Sequence, residues 1–129
     1  MITWDFDSSV PDDWVDEAGD KAEDLGPVLD SIGRLLVDSV HKNFQAEGRP
    51  DPWLPRVDNL SHPLLRKTGA LYDSIAYDVN GLDVNVYSET GYGQYHDEGT
   101  SRLPKRPFLL MQPEDEGEIL DLIAKHFTD

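Results

Sequence analysis

Residues 74–87 read Ser74-Ile75-Ala76-Tyr77-Asp78-Val79-Asn80-Gly81-Leu82-Asp83-Val84-Asn85-Val86-Tyr87. Apolar side chains fall at every second position: Ile75, Tyr77 and Val79 before Asn80-Gly81, then Leu82, Val84 and Val86 after it. Successive strand residues point to opposite faces of a sheet, so this period of two describes strands with one face buried. Asn-Gly between two alternating runs is a strong hairpin signal, because both residues tolerate the positive φ that tight turns need. The stretch predicts a β-hairpin, and hence a small antiparallel sheet, in a chain whose other patterns are helical.

Upstream, Pro27 suits the first position of a helix, where its missing N–H would be unpaired anyway. From there to about Ala46, Leu29, Ile32, Leu35, Leu36, Val40 and Phe44 share one face, with Asp30, Arg34, Asp38 and His41 opposite. Gly33 falls on the apolar side, where a neighbour must pack closely to justify its poor helix propensity. Gly48 marks the stop. Residues 48–63 carry four prolines and predict a long loop, pinned to the core at Trp53-Leu54. Leu64–Thr68 predicts a short helical turn.

Downstream, Gly91, Gly93 and Gly99 punctuate a stretch around Tyr92 and Tyr95. Pro104 and Pro107 bracket a loop, and Phe108–Met111 predicts a short strand or a buried segment. From about Glu114 to Thr128 the period is helical again, with Ile119, Leu120, Ile123 and Phe127 on one face. Glu114, Asp115 and Glu116 sit at its N-terminus, where negative charge complements the helix dipole. The predicted class is α+β: a long N-terminal amphipathic helix and a C-terminal helix packed on a small antiparallel sheet, one domain over residues 27–129. Residues 1–26 predict an acidic arm. It is either a frayed terminus or a docking segment whose Trp4 and Trp14 bury against another subunit.

Composition narrows the function. The 129 residues include no cysteine, which removes disulfide scaffolds, zinc ribbons and thiol catalysis. Neither a membrane-length apolar run nor a signal-peptide pattern occurs, so a soluble protein is expected. Twenty-six acids against eleven bases give −15, a charge that repels nucleic acid and anionic membranes. Residues 1–30 carry −9 and residues 111–129 carry −5, while the middle is nearly neutral.

His96-Asp97-Glu98 is the one cluster resembling a metal site, but three adjacent residues diverge and there is no His-Glu-x-x-His or EF-hand spacing. Ser74 and Ser88 lack a nucleophile-elbow pattern, and no phosphate-cradling loop is present. No cofactor, metal or catalytic residue is therefore expected. Arg102, Lys105 and Arg106 form a basic patch in an acidic chain. They are either solubilising loop charges or the complement of an acidic arm or C-terminal helix on a neighbouring subunit.

Four landmarks occur in order: Trp53-Leu54-Pro55; Leu65-x-x-Thr68-Gly69-x-Leu71-x-x-Ser74-Ile75; Tyr95-His96-x-x-Gly99; and Pro104-x-Arg106-Pro107-Phe108-Leu109. Together they resemble the tailed-phage virion morphogenesis family, similar to Mu-type tail-completion proteins, over residues 28 to 127. The acidic arm before Pro27 has no counterpart in that pattern. The resemblance implies a structural protein, not an enzyme, acting in tail completion or at the head–tail neck as a homo-oligomeric ring. It further implies partners among tail-tube or head-connector proteins, assembly in the host cytoplasm and incorporation into the virion. DNA would pass through such a ring without specific binding, favoured by an acidic lumen. Trp53, His96, Arg102, Lys105, Arg106, Trp4 and Trp14 are the candidate contact residues. Two other readings compete: an acidic inhibitor or DNA mimic that captures a basic partner, and a metal-dependent hydrolase using His96, Asp97 and Glu98.

Overall fold

The computed structural model describes residues 1–18, 25–54, 69–101 and 104–128. In chain order these form β1 (Ile2–Asp5), α1 (Phe6–Ser9), α2 (Asp12–Ala18), α3 (Gly26–Gln45), α4 (Ala70–Asp73), β2 (Ile75–Asn80), β3 (Asp83–Ser88), α5 (Gly93–Glu98) and α6 (Pro113–Thr128). The expected α+β class is what forms: α3 lies across the sheet and α6 packs against α3. The predicted turn at Leu64–Thr68 and most of the proline loop lie outside the described residues.

The sheet has three antiparallel strands in the order β1-β3-β2. Ile75, Tyr77, Val84, Val86, Ile2 and Trp4 share its inner face through the pairings Tyr77↔Val86, Ile2↔Val86 and Trp4↔Val84. Asn80 pairs with Asp83, so the two central turn residues are Gly81-Leu82, one residue beyond the expected Asn80-Gly81. Gly81 takes φ of 62° while Leu82 keeps a negative φ. Glycine at the first central position is the type II′ arrangement, whose twist matches that of the flanking strands.

The N-terminal segment is the main correction. Residues 2–5 are not an arm but an edge strand of the sheet, with Trp4 and Phe6 buried in the core, their rings 6.3 Å apart and edge-to-face. Ile2 and Trp4 alternate with Thr3 and Asp5, a run too short to stand out among so many aspartates. Burying two aromatic rings offsets the cost of ordering this segment, each worth roughly 1.5–3 kcal/mol or more. Trp14 of α2 meets Phe127 of α6 edge-to-face at 5.9 Å. Both tryptophans thus pack within their own chain.

Gly33 has a clear reason. A Cβ there would stand 2.2 Å from the Tyr77 ring, so α3 approaches β2 only because the side chain is missing. The Tyr77 hydroxyl then donates to Asp30, which also pairs with Arg34 at 2.8 Å. At the other end of α3, the Gly48 N–H closes on the Asn43 carbonyl at 2.8 Å, a Schellman-type ending. Gly48 takes φ of 114°, and any Cβ would strike the backbone of Asp51 and Trp53. The turn returns Trp53 to the core, its ring edge-to-face on Phe44.

A buried polar network, with no signal in the apolar periodicity, joins α3 to α6. Asp115 accepts from the Ser39 hydroxyl at 2.5 Å and from the Gln112 N–H at 2.8 Å. Arg49 donates to the Ser39 carbonyl at 2.8 Å and to Asn43 Oδ1 at 2.9 Å, and reaches Glu114 at 3.4 Å. Asn43 in turn donates to the carbonyls of Phe108 and Leu110 at 2.7 and 3.2 Å. Phe108–Met111 is therefore not a strand: Phe108 is buried, Leu109, Leu110 and Met111 are half-buried, and the backbone is paired with side chains instead of a ladder.

Candidate interaction surface

Three pieces of chain meet beyond the C-terminal end of α3: Trp53-Leu54, helix α5, and the segment from Pro104 to Leu109. Each is tied to the others. The Arg106 N–H donates to the His96 carbonyl at 2.9 Å, and the Arg106 guanidinium donates to the Leu54 carbonyl through Nε at 3.2 Å and Nη2 at 3.0 Å. The Trp53 indole donates to the Pro107 carbonyl at 2.9 Å. Asp97 Oδ1 accepts from the N–H groups of Phe108 and Leu109 at 2.9 and 3.1 Å. Phe108 anchors the assembly against Phe44, ring centroids 5.1 Å apart. Two proline-stiffened loops and a short helix thus form one braced platform.

Of the expected contact residues, Trp53, His96, Lys105 and Arg106 are gathered here, and Arg102 lies outside the described residues. Trp53 and Trp4 are buried within the chain, and Trp14 is half-buried against α6, so these rings are structural in this protomer. Arg106 clamps the platform and Lys105 is exposed beside it. Asp97 Oδ1 is occupied by two backbone N–H groups, so within the His96-Asp97-Glu98 trio Asp97 staples α5 to the Phe108–Leu109 backbone. Among the described residues no three His, Asp or Glu side chains converge to hold a metal ion. Burial, and secondarily the Arg106 charge, lower the His96 pKa, keeping the ring neutral at neutral pH.

The surface of the platform is apolar and aromatic. Leu54 is 59% exposed, Tyr92 45% and Tyr95 55%. Tyr92, Tyr95 and His96 share one side of α5 by their i, i+3, i+4 spacing, with Tyr92 edge-on to His96 at 6.1 Å. The tyrosines were legible only as loop residues between glycines, since α5 is too short to impose a helical period.

The description "phage virion morphogenesis family" matches residues 7–128 of the chain. The match takes in most of the segment before Pro27, which was expected to fall outside the family pattern. Mu-like prophage FluMu G protein 2 of Haemophilus influenzae (strain ATCC 51907 / DSM 11121 / KW20 / Rd) is 31% identical over 108 residues, covering 78% of this chain and 77% of that protein. No solved structure matches the chain. Among the described residues no helix is long and apolar enough to cross a membrane.

Proposed function

The chain belongs to the phage virion morphogenesis family, which makes its role a structural one in phage assembly, and from that premise we propose that it acts in tail completion or at the head–tail neck as a homo-oligomeric ring. The family match over residues 7–128 carries this reading. The platform supports it, because a rigid base presenting exposed tyrosines and leucine is what partner contacts favour: large apolar area at low conformational cost. Its partners are further copies of itself and the tail-tube or head-connector proteins at the joint. It assembles in the host cytoplasm and stays in the particle. DNA passes through the ring, and the charge of −15 keeps that passage free of phosphate binding.

The test is deletion of the gene from its phage or prophage, followed by electron microscopy of induced lysates. Filled heads and unjoined or aberrantly ended tails, restored by the protein supplied in trans, are expected. Complete infectious particles without it would overturn the reading.

A further inference from the structure

Asparagine or aspartate precedes glycine at one place in the sequence, Asn80-Gly81. The other asparagines, Asn43, Asn59 and Asn85, precede Phe44, Leu60 and Val86, whose side chains crowd the peptide nitrogen that follows. The fold widens this difference. Asn43 is buried, and its carboxamide donates to the carbonyls of Phe108 and Leu110. The Asn85 carboxamide accepts from the Thr3 hydroxyl at 3.0 Å and donates to Asp78 at 2.9 Å. Asn59 lies outside the described residues. Asn80 is exposed at the end of β2, and among the described residues its carboxamide has no hydrogen-bond partner.

Gly81 supplies the second reacting group. The ladder closes at Asn80↔Asp83, so the Gly81 N–H lies beyond it and, among the described residues, has no acceptor. A Cβ placed on Gly81 would meet nothing within 4 Å, so the approach to its nitrogen is open. A free carboxamide followed by an uncrowded backbone nitrogen is a pair of groups that cyclises without an enzyme.

We propose that Asn80-Gly81 is a site of spontaneous covalent modification, in which water converts the Asn80 carboxamide to a carboxylate through a cyclic imide. The Gly81 nitrogen gives up its proton and attacks Asn80 Cγ. The new N–Cγ bond closes the imide ring, the Cγ–Nδ2 bond breaks, and Nδ2 leaves with that proton as ammonia. Water then opens the ring at either carbonyl, leaving aspartate at position 80, or isoaspartate with the chain routed through the side-chain carbon. One water is consumed and one ammonia released, with no change of oxidation state. Attack requires the Asn80 backbone to leave its strand conformation, so the reaction proceeds from hairpin ends that have opened. The inference is independent of the ring.

The product strains the sheet. Alternation places Asn80, Asp83 and Asp5 on its outer face, in one row across the three strands. Asn80 is the neutral member of that row. A carboxylate there sets like charges side by side, which disfavours the strand pairs. Isoaspartate also lengthens the backbone, which breaks the Asn80↔Asp83 register. The Leu82 carbonyl accepts from the Phe6 N–H at 3.2 Å, so the altered turn pulls on the start of α1 and its buried Phe6.

The experiment incubates the full chain at mildly alkaline pH, folded or unfolded in guanidinium chloride, and follows it by peptide mass spectrometry and by enzymatic methylation of isoaspartate. The folded chain is expected to convert Asn80 at most about tenfold more slowly than the unfolded one, the cost of opening a strand end, while Asn43 and Asn85 stay intact. The melting temperature of the folded sample is expected to fall as conversion proceeds. Asn80→Gln, which cyclises far less readily, is expected to keep its melting temperature through the same incubation. Asn80→Asp is expected to melt lower than wild type from the start and to recover in part with salt, because exposed charges are screened. A folded chain that keeps Asn80 intact while the unfolded chain converts it overturns the proposal, and so does earlier conversion at Asn43 or Asn85. Conversion with no change in melting temperature, together with an Asn80→Asp variant as stable as wild type, overturns the effect on the sheet.

Discussion

Gly33 and His96 show how much single residues decide. Gly33→Ala puts a methyl into the Tyr77 ring, and relief requires α3 to lift from β2. Helix propensity alone would favour alanine by about 1 kcal/mol, but overpacking costs roughly 1–3 kcal/mol, so a net loss in urea unfolding is expected. The position was legible as an anomaly in the apolar stripe, though its partner was not. His96 has its pKa lowered mainly by burial, so the unfolded chain takes up its proton first as the pH falls. The folded state keeps its full stability above the ordinary histidine value of about 6.5 and loses some as the pH drops through the lowered one. His96→Gln is expected to flatten that part of the pH–melting curve. An unchanged slope would show that His96 is not its source.

Among the elements, β1 and β3 place Asp5 directly opposite Asp83. The side-chain hydrogen bond between the two carboxyls raises the pKa of Asp83 and lowers that of Asp5, so Asp83 holds the shared proton in the acid range. At neutral pH both are ionised and repel, which disfavours the strand pair. Asp83→Asn provides a permanent donor, and a higher melting temperature at pH 7 that fades toward pH 4 is expected. The helices α3 and α6 and the β2–β3 hairpin were readable because each runs long enough for its period to repeat. Strand β1, with four residues, and α5, with six, are shorter than any reliable period. The Asn43–Arg49–Asp115 network was hidden for a different reason: buried polar side chains are chosen for their partners, and partners are set by tertiary structure. Asp115→Ala leaves the Gln112 N–H and the Ser39 O–H without their acceptor, although the Ser39 oxygen still accepts from Arg49. A loss of about 1–3 kcal/mol is expected, detectable as early fraying of α6 by hydrogen exchange.

For the whole molecule, residues 2–10 complete the core instead of reaching out of it. Trp4→Ala is expected to cost about 3–5 kcal/mol, a large share of the stability of a domain this size, as measured by chemical denaturation. A cost under 1 kcal/mol would restore the docking-arm reading for Trp4. The same strand sets a timetable for biosynthesis. The register Ile2↔Val86 joins residues more than eighty positions apart, so the ribosome must deliver all of β3 before β1 has anywhere to go. At roughly 5–20 residues per second, a nascent segment bearing Ile2, Trp4 and Phe6 waits on the order of 4–16 s with those side chains in water. The aspartates interleaved through it act as gatekeepers during that interval, holding a sticky strand in solution until its partner emerges.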